Sequence, residues 1–127
     1  MKKLILLTVL VSLFSCTDND DNNITNNQIQ IRVSNNSQYN YENVIIHTTS
    51  GEIAYNNIAS NQVSNYNTFS VIDSNSFVEF TINGNNFSST FYNDNTTNLS
   101  NGSYTLEITA NGTTTSVQSY NTQLLTD

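Results

Sequence analysis

Few side chains in this sequence can do chemistry. Cys16 is its only thiol and His47 its only imidazole, beside ten carboxylates and seven tyrosines. A single thiol cannot close a disulfide within the chain. It becomes a redox centre only where a neighbouring cation lowers its pKa, and "LFSCTDNDDNN" holds no His, Lys or Arg. Neither disulfide nor redox chemistry is therefore assigned to Cys16. The acids just after it match the start of a calcium loop at Asp18, Asp20 and Asn22, but Asn23 stands where the turn glycine belongs and Ile29 where the bidentate glutamate belongs. His47 lies in "YENVIIHTT" without a carboxylate at ligand spacing on its own strand, so an exposed strand histidine is expected. A hydrolase triad would draw on His47, Asp73 and a serine. The sequence has no G-x-S-x-G elbow and, with four glycines, no glycine-rich oxyanion loop. Glycosidase chemistry would draw on Glu42, Glu52, Asp73, Glu79 and Glu107, and it needs a cleft with one acid raised in pKa. No catalytic residue, metal or cofactor is therefore assigned. The tyrosines offer another use: Tyr39, Tyr41, Tyr55, Tyr66 and Tyr92 fall near expected loops or strand ends, where rings could stack on sugars while asparagines supply hydrogen bonds. The competing expectation, and the favoured one, is that aromatic rings fill the core.

These residues sit on elements that the sequence outlines. Lys2 and Lys3 precede "LILLTVLVSLF", an uncharged run too short for a bilayer, which needs about 20 apolar residues. Basic start, short apolar run and small residue read as a secretory signal over residues 1–15. Residues 16–27 are acidic and asparagine-rich, with Ile24 the lone aliphatic side chain, so they read as a flexible tether. Without residues 1–15, one arginine faces ten acids, a formal charge of −9. Phosphate backbones and anionic headgroups are repelled by such a chain, which excludes nucleic acid as a partner.

From residue 28 onward the pattern is that of strands. "QIQIRVS" alternates, with Ile29, Ile31 and Val33 inward and Arg32 outward. "YENVIIHTT" allows two phases, of which Val44 with Ile46 inward is preferred. A turn at Ser50-Gly51 leads to a short strand around Ile53 to Tyr55, and another strand runs near Ser64 to Phe69. Three of the four glycines follow asparagine, and Asn-Gly between alternating runs is a strong hairpin signal. A two-residue turn at Asn83-Gly84 pairs Phe80 with Phe87 and Val78 with Ser89. The same turn at Asn111-Gly112 sets Ile108 opposite Thr115 and Leu106 opposite Val117. About seven or eight short strands with frequent turns predict an all-β, antiparallel β-sandwich over residues 28–120, followed by a C-terminal tail, 121–127.

Two resemblances extend this reading. Leu13, Phe14, Ser15 and Cys16 resemble a bacterial lipobox, which implies cleavage before Cys16 and diacylglycerol, with palmitate-type acyl chains, on its sulfur. Two or more acyl chains anchor stably where one holds marginally. Thr17, rather than an aspartate, follows the cysteine, and the acidic cluster resembles a surface-export signal of Bacteroidetes lipoproteins. The implied location is the outer membrane, lipid-anchored at the cell surface. The second resemblance lies in "IRVSNNSQYNYENVII", "YNNIASNQVSNYNTF", "FTINGNNF" and "LSNGSYTLEI", which are similar to small uncharacterised lipoproteins of the Bacteroidetes. Where that family has a turn glycine, this chain has Asn61. "LSNGSYTLEI" also resembles the approach to a late strand in immunoglobulin-like domains, where a tyrosine, here Tyr104, bonds back across the corner. A type IX sorting domain has similar late strands, but it fits neither the lipobox nor the lack of basic residues near Asp127. Together these imply a non-catalytic, surface-tethered immunoglobulin-like module that binds or associates with a protein partner of the envelope. The alternative is a glycan-binding module using exposed tyrosines.

Overall fold

The computed structural model describes residues 28–127. They form eight strands: β1 (Ile29–Asn35), β2 (Tyr41–Thr48), β3 (Gly51–Ile58), β4 (Asn67–Phe69), β5 (Phe77–Ile82), β6 (Asn85–Thr90), β7 (Gly102–Gly112) and β8 (Val117–Thr126). Two four-stranded sheets result, in the orders β4-β1-β7-β8 and β3-β2-β5-β6. All pairs are antiparallel except β1 with β7, which run parallel with Ile31 opposite Tyr104 and Val33 opposite Leu106. The expected all-β sandwich is the observed architecture.

Alternation explains the layers. β1 buries every second residue, Ile29, Ile31, Val33 and Asn35, and turns Arg32 outward. β2 takes the phase with Val44 and Ile46 buried while Ile45 and His47 face out. Leu106 and Ile108 of β7 then meet Tyr41, Val78, Phe80 and Ile82 from the other sheet, all buried. Each such side chain contributes about 1.5–3 kcal/mol on burial, so this shared layer holds the sheets together.

The β5–β6 hairpin has the register expected of it: Ile82 opposite Asn85, Phe80 opposite Phe87 and Val78 opposite Ser89. The Phe80 and Phe87 rings lie 5.6 Å apart. At the turn Asn83 has φ 50° and Gly84 φ 80°, the paired positive values of a type I′ turn. Among the described residues, all four non-glycine residues with positive φ are asparagines: Asn43, Asn56, Asn61 and Asn83. Asparagine enters this region more readily than other side chains, which gives part of the asparagine richness a backbone purpose. Asn83→Ala should cost about 1 kcal/mol while Asn83→Gly leaves stability within about 0.5 kcal/mol, as read from urea midpoints.

The β7–β8 hairpin departs from expectation. Asn111-Gly112 does not form the turn; residues 113–116 do, with the Thr113 N–H donating to the Ser116 carbonyl at 2.9 Å. Ile108 therefore faces Thr122 rather than Thr115, Leu106 faces Leu124 rather than Val117, and Val117 lies opposite Gly112. The longer turn follows from close approach: a Cβ on Gly112 would collide with the Ser116 carbonyl and lie 2.9 Å from the Tyr39 hydroxyl. The expected tail, 121–127, is corrected by the same register. β8 continues to Thr126, and the Asp127 N–H donates to the Ser103 carbonyl at 3.0 Å. Leu124 drives this extension, since it packs on the core beside Leu106.

The Tyr104 corner is present, its hydroxyl donating to the Ser100 carbonyl at 2.8 Å. Tyr104→Phe removes that one bond and should lower the urea-derived stability by about 1 kcal/mol while leaving the far-ultraviolet circular-dichroism spectrum unchanged. A second polar knot is buried at the end of β1. The Asn35 amide donates to the carbonyls of Tyr39 (2.7 Å) and Ile58 (3.0 Å), and its oxygen accepts from the Ser37 N–H (3.1 Å) and hydroxyl (2.7 Å). One side chain thus ties β1 to the loop before β2 and to the end of β3.

Candidate functional site

The five tyrosines considered for sugar stacking do not form a platform. Tyr39 and Tyr41 are buried, their hydroxyls donating to the carbonyls of Thr113 (2.5 Å) and Ile108 (2.9 Å). Burial pushes the Tyr41 phenol up to about 12. Tyr55 is half-buried and donates to the Ile31 carbonyl across the sandwich at 2.6 Å, and burial raises its pKa as well. Tyr92 is half-buried, its hydroxyl 3.5 Å from that of Thr97. Tyr66 is exposed but engaged, with the Arg32 guanidinium 5.0 Å from its ring centroid and its hydroxyl donating to Asp127. The physical reason is that each strand-end ring has an apolar body that fills the sandwich and a hydroxyl that satisfies a carbonyl at its margin.

Polar groups gather in two places on the outer faces. On the β4-β1-β7-β8 face, the Arg32 Nε donates to Thr105 Oγ1 at 2.9 Å, and Thr105 donates to Asp127 Oδ1 at 2.6 Å. Hydrogen bonds from Thr105 and Tyr66, aided by the Arg32 charge, hold the Asp127 carboxyl below its ordinary range. Tyr66, Arg32, Thr105 and Asp127 thus staple neighbouring strands.

On the other sheet lies a cluster the sequence did not announce. His47 was expected to stand alone on its strand, yet Glu52 of β3 approaches Nδ1 at 3.1 Å and Glu79 of β5 approaches Nε2 at 2.6 Å. The imidazole stacks on Phe77 at 4.5 Å and 12°. Register brings these groups together, for His47 lies opposite Glu52 on one side and Phe77 on the other. The two glutamates take opposite nitrogens and do not converge on a point; among the described residues no trio of His, Cys, Asp or Glu is arranged to hold a metal. Asp73, the other triad candidate, spends its oxygens on Thr49 (3.0 Å), the Asn75 N–H (3.0 Å) and Ser76 (3.2 Å). Partial desolvation pushes that carboxyl up, and these hydrogen bonds outweigh it and hold it low. Glu107 and Glu79 occupy outer faces as expected.

The clefts are shallow and polar. One of about 420 Å³ lies between β3 and the segment leading to β4, lined by Tyr55, Asn57, Gln62, Val63, Asn65 and neighbours. The remaining expectations, the signal over 1–15 and the lipidated Cys16 with its tether over 16–27, lie outside the described residues.

Among solved structures the chain is similar to a protein from Eubacterium rectale determined by NMR, with a TM-score of 0.54 and 16% identity over 79% of this chain and 88% of that one. At that identity the likeness shows the fold alone. No family model matches the chain, and no curated protein matches it.

Proposed function

We propose that this chain is a lipid-anchored module of the outer membrane surface that works by association with protein rather than by turnover. The observation that supports it best is the order of groups at the start of the sequence. Two lysines, an uncharged run, Ser15 and Cys16 are followed by an acidic, asparagine-rich stretch, with the first strand at Ile29. A cell-surface location suits an acidic domain whose polarity comes mostly from uncharged amides and hydroxyls. Acylation of Cys16 by two or more chains would hold it at a membrane, and the stretch between Cys16 and β1 would let the sandwich present its edges and loops to neighbours. The immunoglobulin-like assignment rests on the Tyr104 corner and the sandwich, and it too is part of the proposal.

The test is fractionation of cells producing the full chain or its Cys16→Ala variant. The parent should sediment with membranes and take up labelled palmitate. The variant should lose the label and the membrane association. Equal distribution of the two chains, with no label in either, would end the anchoring proposal.

A further inference from the structure

We infer that β8 is a dimerisation edge, along which two copies of this chain pair their last strands antiparallel and join two sheets into one. The inference deepens the reading of the domain as an association module and rests on it for its setting; the pairing itself comes from the geometry of β8.

Four strands lie at sheet edges: β4, β8, β3 and β6. Natural sheets protect their edges by shortness, charge, bulges or cover. β4 has three residues. β3 carries Glu52, and its pairing with β2 is broken by register shifts between Tyr41 and Ile45. β6 is covered by β8 itself: Tyr120 donates to the Ser88 carbonyl at 2.9 Å and Thr122 to the Thr90 carbonyl at 3.2 Å. β8 has one of these devices only near its start, a bulge at Gln118 where Asn111 and Gly112 face Ser119 and Val117; from Ser119 to Thr126 it has none. It runs ten residues, "VQSYNTQLLT", without a charge or a proline.

The outward row of β8 follows from the ladder. Asp127 N–H bonds to the Ser103 carbonyl, so by antiparallel alternation Leu125, Gln123, Asn121 and Ser119 aim their backbone groups at β7. The Ile108 carbonyl, one step out of phase, accepts from Asn36 on the β1 side, as this alternation requires. Tyr120, Thr122, Leu124 and Thr126 therefore direct their N–H and C=O groups away from the sheet. A two-fold axis at Gln123 sets Thr122 against Leu124 of the second copy and Tyr120 against Thr126, giving about eight backbone hydrogen bonds.

The occupant is a second copy for three reasons. The chain is strongly acidic, so a basic partner would be drawn to the faces bearing Glu52, Glu79 and Glu107 and not to an uncharged edge. Two acidic copies, in contrast, approach at least cost where neither carries charge. The edge also complements itself: the Gln123 amide both donates and accepts across the axis, and the pairing lays the exposed Leu125 against Asn121 of the second copy.

The experiment uses the full chain. Sedimentation of detergent-extracted protein over a concentration series should show a monomer–dimer equilibrium. On oxidation in membranes, Gln123→Cys should form a covalent dimer, because residue 123 meets itself at a non-hydrogen-bonded position about 4.5 Å between Cα atoms. Asn121→Cys should cross-link far more weakly, and the parent chain not at all. Gln123→Lys lies opposite Glu107 within the chain but faces its own copy across the axis; it should keep the parent circular-dichroism spectrum and become monomeric. Overturning results are a monomer at every concentration, equal cross-linking of Gln123→Cys and Asn121→Cys, or a dimer indifferent to Gln123→Lys. Membrane association, which Gln123→Lys leaves intact, separates failure of the pairing from failure of the anchor.

Discussion

An Asn35→Asp chain is expected to lose about 3 kcal/mol of stability or more at neutral pH. The amide nitrogen of Asn35 donates to two carbonyls, Tyr39 and Ile58, in a position with 1% exposure. A carboxylate there turns two donors into an acceptor facing acceptors and places an unpaired charge away from water. Its neighbours cannot relieve it, because the Ser37 N–H and hydroxyl already serve the other oxygen. Asn36→Asp is the control: Asn36 is exposed and bonds through its backbone to Ile108, so its exchange should shift the urea midpoint by no more than about 0.5 kcal/mol. Equal losses in the two chains would show that the knot at Asn35 does not hold the strands.

The second large effect is alkaline. Tyr41 is fully buried and burial raises its phenol to about 12, above the value near 10 of an unfolded chain. The folded state therefore favours the neutral phenol. Its contribution is complete below pH 10 and is lost as pH rises toward 12. Over that window the domain should lose about 2 kcal/mol through this group, and Tyr55, shifted in the same direction by burial, adds its own loss from pH 10 upward. Tyr41→Phe should cost about 1 kcal/mol at pH 7 by leaving the Ile108 carbonyl to Asn36 alone, and it should flatten the stability curve between pH 10 and 12. Tyr41→Ala, which empties the space beside Phe80, should cost about 3–5 kcal/mol. Urea melts across pH for the three chains decide it; a Tyr41→Phe curve as steep as the parent's would refute the assignment.

What could be read from the sequence was what local pattern decides. The β5–β6 hairpin was legible because Asn83-Gly84 can adopt only a few backbone shapes and the alternation on both arms agrees with a two-residue turn. The phase of β2 was legible from which apolar pair a core accepts. The β7–β8 hairpin was not. Gly112 is needed for close approach to the Ser116 carbonyl within the turn and to the Tyr39 hydroxyl from far back in the chain, and its dipeptide looks the same as one that makes a turn. The polar residues early in β8 then disguised a strand whose one strong anchor, Leu124, comes near its end. The parallel pairing of β1 with β7 joins opposite ends of the domain and leaves no local trace. The same limit applied to the candidate sites. His47 met Glu52 and Glu79 through cross-strand register, and the tyrosines were sorted between core and surface by the sandwich that closes over them.

The most direct test of the account is the intact mass of the protein extracted from the membranes of cells that make it. The account predicts a chain beginning at residue 16 whose excess mass lies on Cys16 and is removed with its acyl chains. A chain that retains residues 1–15, or one that begins at residue 16 with a free thiol, would contradict it.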